Sequence, residues 1–234
     1  MSKPLCVSRP ELPDGLVALP VRTQLVHRGE DFISIAQEAV RGIARPGDVI
    51  AVSETAVAIA QGQFVGAEFV RPSRLAYYLA QRAGALATVS QSESLQIVID
   101  HVGYPRVIFA ALMHLVGRVL RIPGMFYRVM GEAITAIDGY TGTLPPFENA
   151  IVLSPQHPDA YAQSIKDRIG VDCAIVDAND LSKAKILGAS AGVNRKTVML
   201  ALHANPHGNS DEQTPLVVLK WRGEGENPLF EVRR

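Results

Sequence analysis

The sequence predicts an α+β fold in which mixed and antiparallel sheets are combined with helices. Some segments carry apolar residues at helical spacing, others are short runs rich in Val and Ile, and the two kinds are mixed irregularly. Several pairs of apolar runs late in the chain follow one another closely, as in hairpins. Such an order favours α+β over a regular doubly wound sheet.

The composition indicates a globular protein with a sizeable core. The chain has 234 residues, of which 47% are hydrophobic and 20% are charged. Its formal net charge is +0, so the basic footprint that nucleic-acid binding usually leaves is missing. We expect an extended N-terminal arm over residues 1–15 and a single domain over residues 16–234.

Nothing in the sequence has the length of a transmembrane helix. The longest apolar stretch, residues 107–116, is far shorter than the roughly 20 residues that cross a bilayer. The first 15 residues lack the apolar core of a signal peptide. Cys6 and Cys173 form no disulfide or metal motif and are expected to stay reduced. These features predict a soluble cytoplasmic protein without membrane partners, and a membrane contact by residues 119–127 is the less favoured alternative.

The first half of the chain predicts three strands and a well-marked helix. Residues 16–26 predict a strand, and Asp31 can cap a helix whose apolar face runs over residues 32–43. Residues 49–60 are mostly small or β-branched and predict a buried strand with a polar kink. Residues 64–70 predict a further strand.

The remaining elements are predicted from shorter signals. Pro158 opens a helix, and Asp159 in its first turn suits the helix dipole. Residues 188–192 are small and flexible, so they form either a tight turn or a loop that faces a phosphate. Helices are predicted at 72–81, 92–101 and 158–170, and strands at 106–111, 131–137, 150–153, 173–176, 185–187, 197–202 and 216–221.

Several motifs, taken in their order along the chain, carry a resemblance to a known family. They are IARPGDVIAVSETAVAIAQGQFV with the following PSRLA, then AIDGYTG, IVLSPQHPDAYAQSIKDRIGVDCAIV and TPLVVLKWRG. In this order and at these intervals the chain resembles the F420-0:γ-glutamyl ligase family from about residue 16 to residue 223. The resemblance implies a fold of two interlocked lobes, generally as a homodimer. It also implies the use of GTP and Mg²⁺ or Mn²⁺ to join glutamate to a carboxylate of an F420-like or folate-like acceptor.

The resemblance implies acidic metal ligands at two places. The family's first metal-binding aspartate falls on Asp138, and the alternative role for this residue is to order a Gly-rich turn. The second falls on Asn179 by ungapped counting, and a small shift brings Asp177 or Asp180 to that position. These polar residues at a strand end can equally form an ordinary cap or turn.

The nucleotide-binding positions match the family less closely. The resemblance places nucleotide contacts at Glu54, Thr55 and Thr141, and Arg22 is a candidate for a replacement cation. The family's lysine falls on Ile59, so a phosphate-binding charge is exchanged for an apolar side chain. The C-terminal section, residues 183–215, is shortened, and His203 and His207 within it are a weak candidate for a metal pair.

Three functional hypotheses follow from this pattern. The first is a metal- and nucleotide-dependent glutamate ligase. The second is a divergent, non-catalytic member that binds a small molecule or regulates a partner. The third is a structural homodimer whose interface is the apolar region of residues 107–127.

Overall fold

The chain folds as an α+β protein with one mixed and one antiparallel sheet, as the sequence predicts. The computed structural model describes residues 15–83, 90–122, 124–131, 134, 137–138, 146–179, 183–203, 206–207 and 213–231. The strands are β1 (Leu16–Val21), β2 (Val49–Ser53), β3 (Phe64–Gly66), β4 (Ile137–Asp138), β5 (Ala150–Leu153), β6 (Asp172–Asn179), β7 (Lys183–Ala189) and β8 (Leu216–Trp221). The α-helices are α1 (Phe32–Ala39), α2 (Glu54–Ala60), α3 (Arg74–Ala80), α4 (Ser92–Val102), α5 (Tyr104–Val119), α6 (Met125–Met130), α7 (Pro158–Ile169) and α8 (Arg195–Ala201).

The chain forms two compact units. The first unit comprises the described residues up to Gln61 and from Pro155 onward, and the second comprises those from Gly62 to Ser154. The first contains a five-stranded sheet in the order β1-β8-β2-β6-β7, in which only β2 and β6 run parallel. The second contains an antiparallel three-stranded sheet in the order β3-β5-β4, together with α3 to α6.

The core of the first unit is built around β2, β6 and β8. Nearly all of the side chains of β2 and the first half of β8 are buried, because neighbouring strands lie on both sides and helices pack on the sheet. Helix α7 packs against β6 and β7, and α2 packs against β2 and β6. Cys173 is buried in β6 as a free thiol, and its burial raises the pKa of the thiol.

The strongest local signals in the sequence predict their elements correctly. The Asp31 carboxylate accepts a hydrogen bond from the Ser34 backbone N–H at 3.2 Å and so caps α1, which ends before the predicted residue 43. Ser73 caps α3 in the same way, with its hydroxyl accepting from the Ala76 N–H. The strands at 150–153 and 216–221 have the predicted bounds.

Three of the predicted strands are wrong because the α-helices α2, α5 and α8 occupy all or part of them. The strand predicted over residues 49–60 ends at Ser53, and Glu54–Ala60 is helical. Every residue of α2 from Ala56 onward is buried, so the helix shows no polar face that would mark its period. Residues 106–111 lie within α5, which Pro105 opens in its first turn. Residues 197–202 lie in and just after α8, whose N-cap Asn194 accepts from the Thr197 N–H.

Smaller departures concern strand ends. The strand predicted over residues 64–70 stops at Gly66 and continues as a single 3₁₀ turn. Ile134 is helical, and the strand predicted from residue 131 begins only at Ile137. The turn predicted at 188–192 begins later, because Gly188 and Ala189 belong to β7.

A half-buried ion pair joins β8 to the turn before β2. The Lys220 ammonium lies 2.8 Å from Asp48 Oδ2 and also donates to the Ile43 carbonyl oxygen. The side chains of Lys220 and Asp48 are only 15% and 13% exposed. The same carboxylate oxygen accepts from the Arg45 N–H at 2.9 Å. The pair therefore fixes the turn that feeds the central strand.

We expect Lys220→Met to lower the free energy of unfolding by about 2–4 kcal/mol, because it leaves the Asp48 carboxylate partly buried without its cation. Urea unfolding measures this loss. Arg41→Met is the matched control, since its salt bridge with Glu38 joins side chains that are 72% and 68% exposed and should contribute less than about 1 kcal/mol. Equal effects of the two substitutions would contradict a structural role for the Lys220–Asp48 pair.

Candidate functional site at the edge of the five-stranded sheet

Several strand ends meet at one edge of the five-stranded sheet. The register places Leu216, the first residue of β8, opposite both Val21 at the end of β1 and Val52 near the end of β2. Ser53 lies beside Val176 of the parallel strand β6. The chain therefore leaves β1 and β2 and enters β8 at the same edge. The carboxyl ends of parallel strands are where open sheets most often bind ligands.

Four of the residues predicted for the site lie at this edge, which we call the polar edge. Arg22 directly follows β1 and is exposed. Glu54 and Thr55 directly follow β2 as the first turn of α2, and both are half-buried. Asp177 is the residue after Val176 in β6. Strand pairing thus gathers positions that are up to 155 residues apart in the sequence, from Arg22 to Asp177.

Asp177 is the carboxylate with the most unusual environment at the polar edge. Burial raises its pKa, and Lys185, which lies opposite it in β7, lowers the pKa only in part. A desolvated carboxylate with incomplete charge compensation is a common feature of functional sites. Lys185 was missed as a site residue by sequence reasoning, because only the pairing of β6 with β7 shows that it faces Asp177.

The other predicted site residues belong to the second unit, to the end of β6, or to segments outside the described residues. Asp138 is the last residue of β4 and belongs to the three-stranded sheet of the second unit. Asn179 ends β6 and pairs with Lys183 of β7. Thr141 and Asp180 lie outside the described residues. The metal and nucleotide assignments of these four residues therefore stay predictions.

Ile59 cannot supply a polar contact to a nucleotide. It lies in α2 and is buried in the chain's core. The position at which the family has a lysine thus serves packing in this chain. Arg22 and Lys185 are the cationic residues that the strand register brings to the polar edge among the residues described here.

A buried histidine lies just before the start of β8. The His207 Nδ1 is 3.0 Å from the Thr214 carbonyl oxygen, and the Thr214 hydroxyl donates to the His207 carbonyl oxygen. The Thr23 N–H, just beyond β1, donates to the Gln213 carbonyl oxygen at 3.1 Å. These bonds tie the segment that precedes β8 to the polar edge. The Nδ1 atom of His207 is therefore engaged in anchoring this segment, whereas its Nε2 atom is buried without a hydrogen-bond partner among the described residues.

Burial lowers the pKa of His207 below its ordinary value of 6.5. The unfolded chain therefore binds a proton at a higher pH than the folded chain does. The contribution of His207 to stability should be fully present above about pH 6.5 and be lost as the pH falls below it, by about 1.4 kcal/mol for each pKa unit between the two states. Urea unfolding between about pH 7.5 and pH 5 should show a smaller loss for His207→Gln than for the natural chain. Equal slopes would contradict this origin of the pH dependence.

The polar edge suits a divalent cation only if a substrate completes its shell. Within the described parts of the chain, no group of three or more His, Cys, Asp or Glu side chains could hold a metal ion. The residues before Glu54 and Asp177, which are Ser53 and Val176, are paired in the adjacent, parallel strands β2 and β6, whose backbones lie on the order of 5 Å apart. Mg²⁺ commonly takes one or two carboxylates and completes its octahedron with phosphate oxygens and water. The donor set therefore fits a metal that arrives with a nucleotide.

Comparisons with known proteins agree with the ordered motifs. The family model described as F420-0:Gamma-glutamyl ligase matches residues 20–180, which is well over half of the chain. A similar protein is an uncharacterized protein of Methanocaldococcus jannaschii, which is 27% identical over 178 residues. The match covers 73% of this chain and 60% of that relative, so the chain spans less than two thirds of the relative's length. The segment matched by the family model begins within β1 and contains β2 to β6, and it includes all the predicted metal and nucleotide residues except the weak candidates His203 and His207. The chain belongs to the F420-0:γ-glutamyl ligase family.

Proposed function

We propose that this protein is a metal- and nucleotide-dependent γ-glutamyl ligase that adds glutamate to a carboxylate of an F420-like or folate-like acceptor. The observation that carries the proposal is the meeting of Arg22, Glu54, Thr55 and Asp177 at one edge of one sheet in a member of this family. GTP is the proposed co-substrate, and Mg²⁺ or Mn²⁺ the proposed metal.

Each residue of the polar edge has a role that its chemistry allows. Arg22 is exposed and always charged, so it can pair with nucleotide phosphates. The Thr55 hydroxyl can donate to a phosphate oxygen. Glu54 and Asp177 would hold the divalent cation, together with Asn179 and Asp180, which follow Asp177 in the sequence. A bound metal would offset the negative charge of the phosphates during their transfer.

The proposed reaction has two steps. An oxygen of the acceptor carboxylate attacks the γ-phosphorus, the bond to the nucleoside diphosphate breaks, and an acyl phosphate forms. The amine of glutamate then attacks the acyl carbon, phosphate leaves with the electrons of the C–O bond, and the amine loses a proton to solvent. The protein's contribution is to hold the reacting groups in line and to compensate charge, since positioning and electrostatics dominate phosphoryl transfer.

Thermal unfolding with nucleotide and metal tests the nucleotide site. GTP or ATP with Mg²⁺ or Mn²⁺, present at about 100 times the dissociation constant, should stabilise the native chain by about 2.7 kcal/mol. We expect Glu54→Gln to lose most of this stabilisation. Glu38→Gln, on the exposed side of α1, is the matched control and should keep all of it. If no nucleotide and metal pair shifts the unfolding temperature of the natural chain, the proposal is wrong.

The burial of Ile59 favours a second candidate, a non-catalytic member that binds a small molecule or regulates a partner. Without a lysine at this position the phosphates lose a cation that the family has. This candidate predicts that a nucleotide binds without turnover. Release of phosphate that depends on both glutamate and an acceptor, and that disappears in Asp177→Asn, would exclude it.

We also propose a cytoplasmic location and a homodimer for the working protein, as the family resemblance implies. Glutamate and nucleoside triphosphates are supplied in the cytoplasm, which suits the proposed chemistry. Light scattering at micromolar concentration tests the dimer, and a monomer mass would rule it out.

A further inference from the structure

Helix α5 exposes a broad apolar face. Leu112 and Leu115 are 55% and 57% exposed, and Val119 is 83% exposed. At about 100° per residue, the exposed apolar side chains from Tyr104 to Leu120 cover an arc of about 160°. A shallow groove on this arc is lined by Leu115, Val116, Val119 and Leu120. Exposed apolar areas of this kind mark contacts with proteins or membranes.

The face of α5 opposite the exposed apolar face is buried and fixes the position of the helix. Val107, Ala110 and Gly117 are its buried residues. A Cβ at Gly117 would lie 2.5 Å from Met125 Cγ and 2.7 Å from the Ile122 carbonyl oxygen, so α5 and the start of α6 pack without room for a side chain. The helix therefore cannot turn its apolar arc inward without giving up this contact.

The charged residues of segment 104–131, which contains the apolar face, all have the same sign. Residues 104–131 contain four arginines and no Asp or Glu, although the whole chain has a formal net charge of +0. Arg106 and Arg118 fall about 40° beyond the two ends of the apolar arc. Arg121 lies just after α5, and Arg128 lies in α6. All four are exposed. Arg106 also donates to the Val129 and Met130 carbonyl oxygens, which fixes its guanidinium at the rim of the face.

We propose that this face docks on an anionic phospholipid bilayer, with α5 lying in the plane of the membrane surface. The apolar side chains would enter the boundary between headgroups and acyl chains, while the flanking arginines pair with lipid phosphates. Of the helices described here, none is long and apolar enough to cross a bilayer by itself, and α4 and α5 qualify only as a pair bent by 116°. A helix on the surface is the arrangement that fits this geometry.

A second copy of the chain is the competing occupant of this face. Pairing two copies through α5 would bring eight arginines of the two 104–131 segments together, with no carboxylate from either segment to offset them. Like charges that face each other across an interface are unfavourable, whereas anionic lipid attracts them. Charge complementarity therefore favours the bilayer.

Vesicle flotation tests the proposal with the whole chain of 234 residues. We expect it to float with vesicles that contain about one-third phosphatidylglycerol and to float weakly with pure phosphatidylcholine. Replacing both Leu115 and Val119 with serine should weaken binding more than about tenfold, because two apolar side chains no longer enter the lipid. Replacing Arg118 and Arg121 with glutamine should weaken it about tenfold or more and reduce its response to salt, because Arg106 and Arg128 remain.

Phe69→Ser is the matched control, because Phe69 is 79% exposed but lies outside α5. It should leave vesicle binding unchanged. The proposal is overturned if the natural chain does not float with anionic vesicles, or if the Leu115 and Val119 substitutions leave its binding unchanged. It is also overturned if light scattering shows a dimer that those two substitutions dissociate, since a second copy would then occupy the face.

Discussion

Replacing Gly188 with alanine should destabilise the first unit by about 3 kcal/mol or more. A Cβ at this position would lie 2.3 Å from the Pro158 carbonyl carbon and 2.5 Å from the Asp159 nitrogen. These are backbone atoms in the first turn of α7, so they cannot rotate away as a flexible side chain would. To admit the methyl group, α7 has to move away from β7.

That movement would also break the bonds that join the two elements. The Asp159 carboxylate accepts from the Ala189 N–H at 2.9 Å and pairs with Arg195 at the start of α8. These partners lower the pKa of Asp159, with the Ala189 N–H as the larger cause. For a chain of this size, a loss of 3 kcal/mol lowers the melting temperature by about 6–12 °C. Differential scanning calorimetry measures the change.

Gly192→Ala separates this steric effect from backbone strain. Gly192 has a φ of +91°, and no atom lies within 4 Å of the place that its Cβ would take. Alanine there costs only the strain of the left-handed backbone, about 1–2 kcal/mol. If Gly188→Ala proves no more destabilising than Gly192→Ala, the close packing of α7 on β7 does not limit stability.

The sequence predicts the fold class because capping and period-two signals are local. Asp31 and Ser73 mark their helices by side-chain to backbone bonds within one turn, and such bonds form whatever lies around them. Residues 54–60 could not be predicted in this way. Their helix is buried on all sides from Ala56 onward, and a buried helix and a buried strand have the same apolar run.

The site is predictable only in part, because its members come from separate strands. The motifs indicate Glu54 and Asp177, but neither motif says that β2 and β6 are parallel neighbours with Ser53 beside Val176. Arg22 reaches the same edge only because β8 inserts between β1 and β2. Lys185 carries no motif at all, and it enters the site through the pairing of β7 with β6.

Asp177→Asn should abolish the proposed ligase activity without loss of stability. Asparagine has almost the same shape but lacks the charge that would help to hold the cation. A metal contributes several kcal/mol to the transition state of phosphoryl transfer, so phosphate release should fall by about 10²–10³-fold. Assays with GTP, Mn²⁺, glutamate and an F420-like or folate-like acceptor measure this rate.

The free energy of unfolding of the Asp177→Asn variant distinguishes a functional carboxylate from a structural one. Burial raises the pKa of Asp177, which means that the fold disfavours its charged form. Removing the charge should therefore leave the free energy of unfolding unchanged or raise it. A carboxylate that stabilises the fold should show the opposite effect, because replacing it with asparagine lowers the free energy of unfolding. Asp172, the first residue of β6, is such a carboxylate. It accepts a hydrogen bond from the Ser190 hydroxyl at 2.8 Å and lies 2.7 Å from the Lys166 ammonium.

Asp172→Asn is accordingly the matched control, with lower stability and normal turnover as its expected outcome. If Asp177→Asn instead destabilises the chain as Asp172→Asn does, and phosphate release survives, then Asp177 serves the fold and the polar edge is not the catalytic site. If phosphate release disappears while the free energy of unfolding is unchanged, the buried Asp177 carboxylate is needed for function although it does not stabilise the fold. The opposite outcomes expected for Asp172→Asn and Asp177→Asn thus decide whether β6 contributes to catalysis.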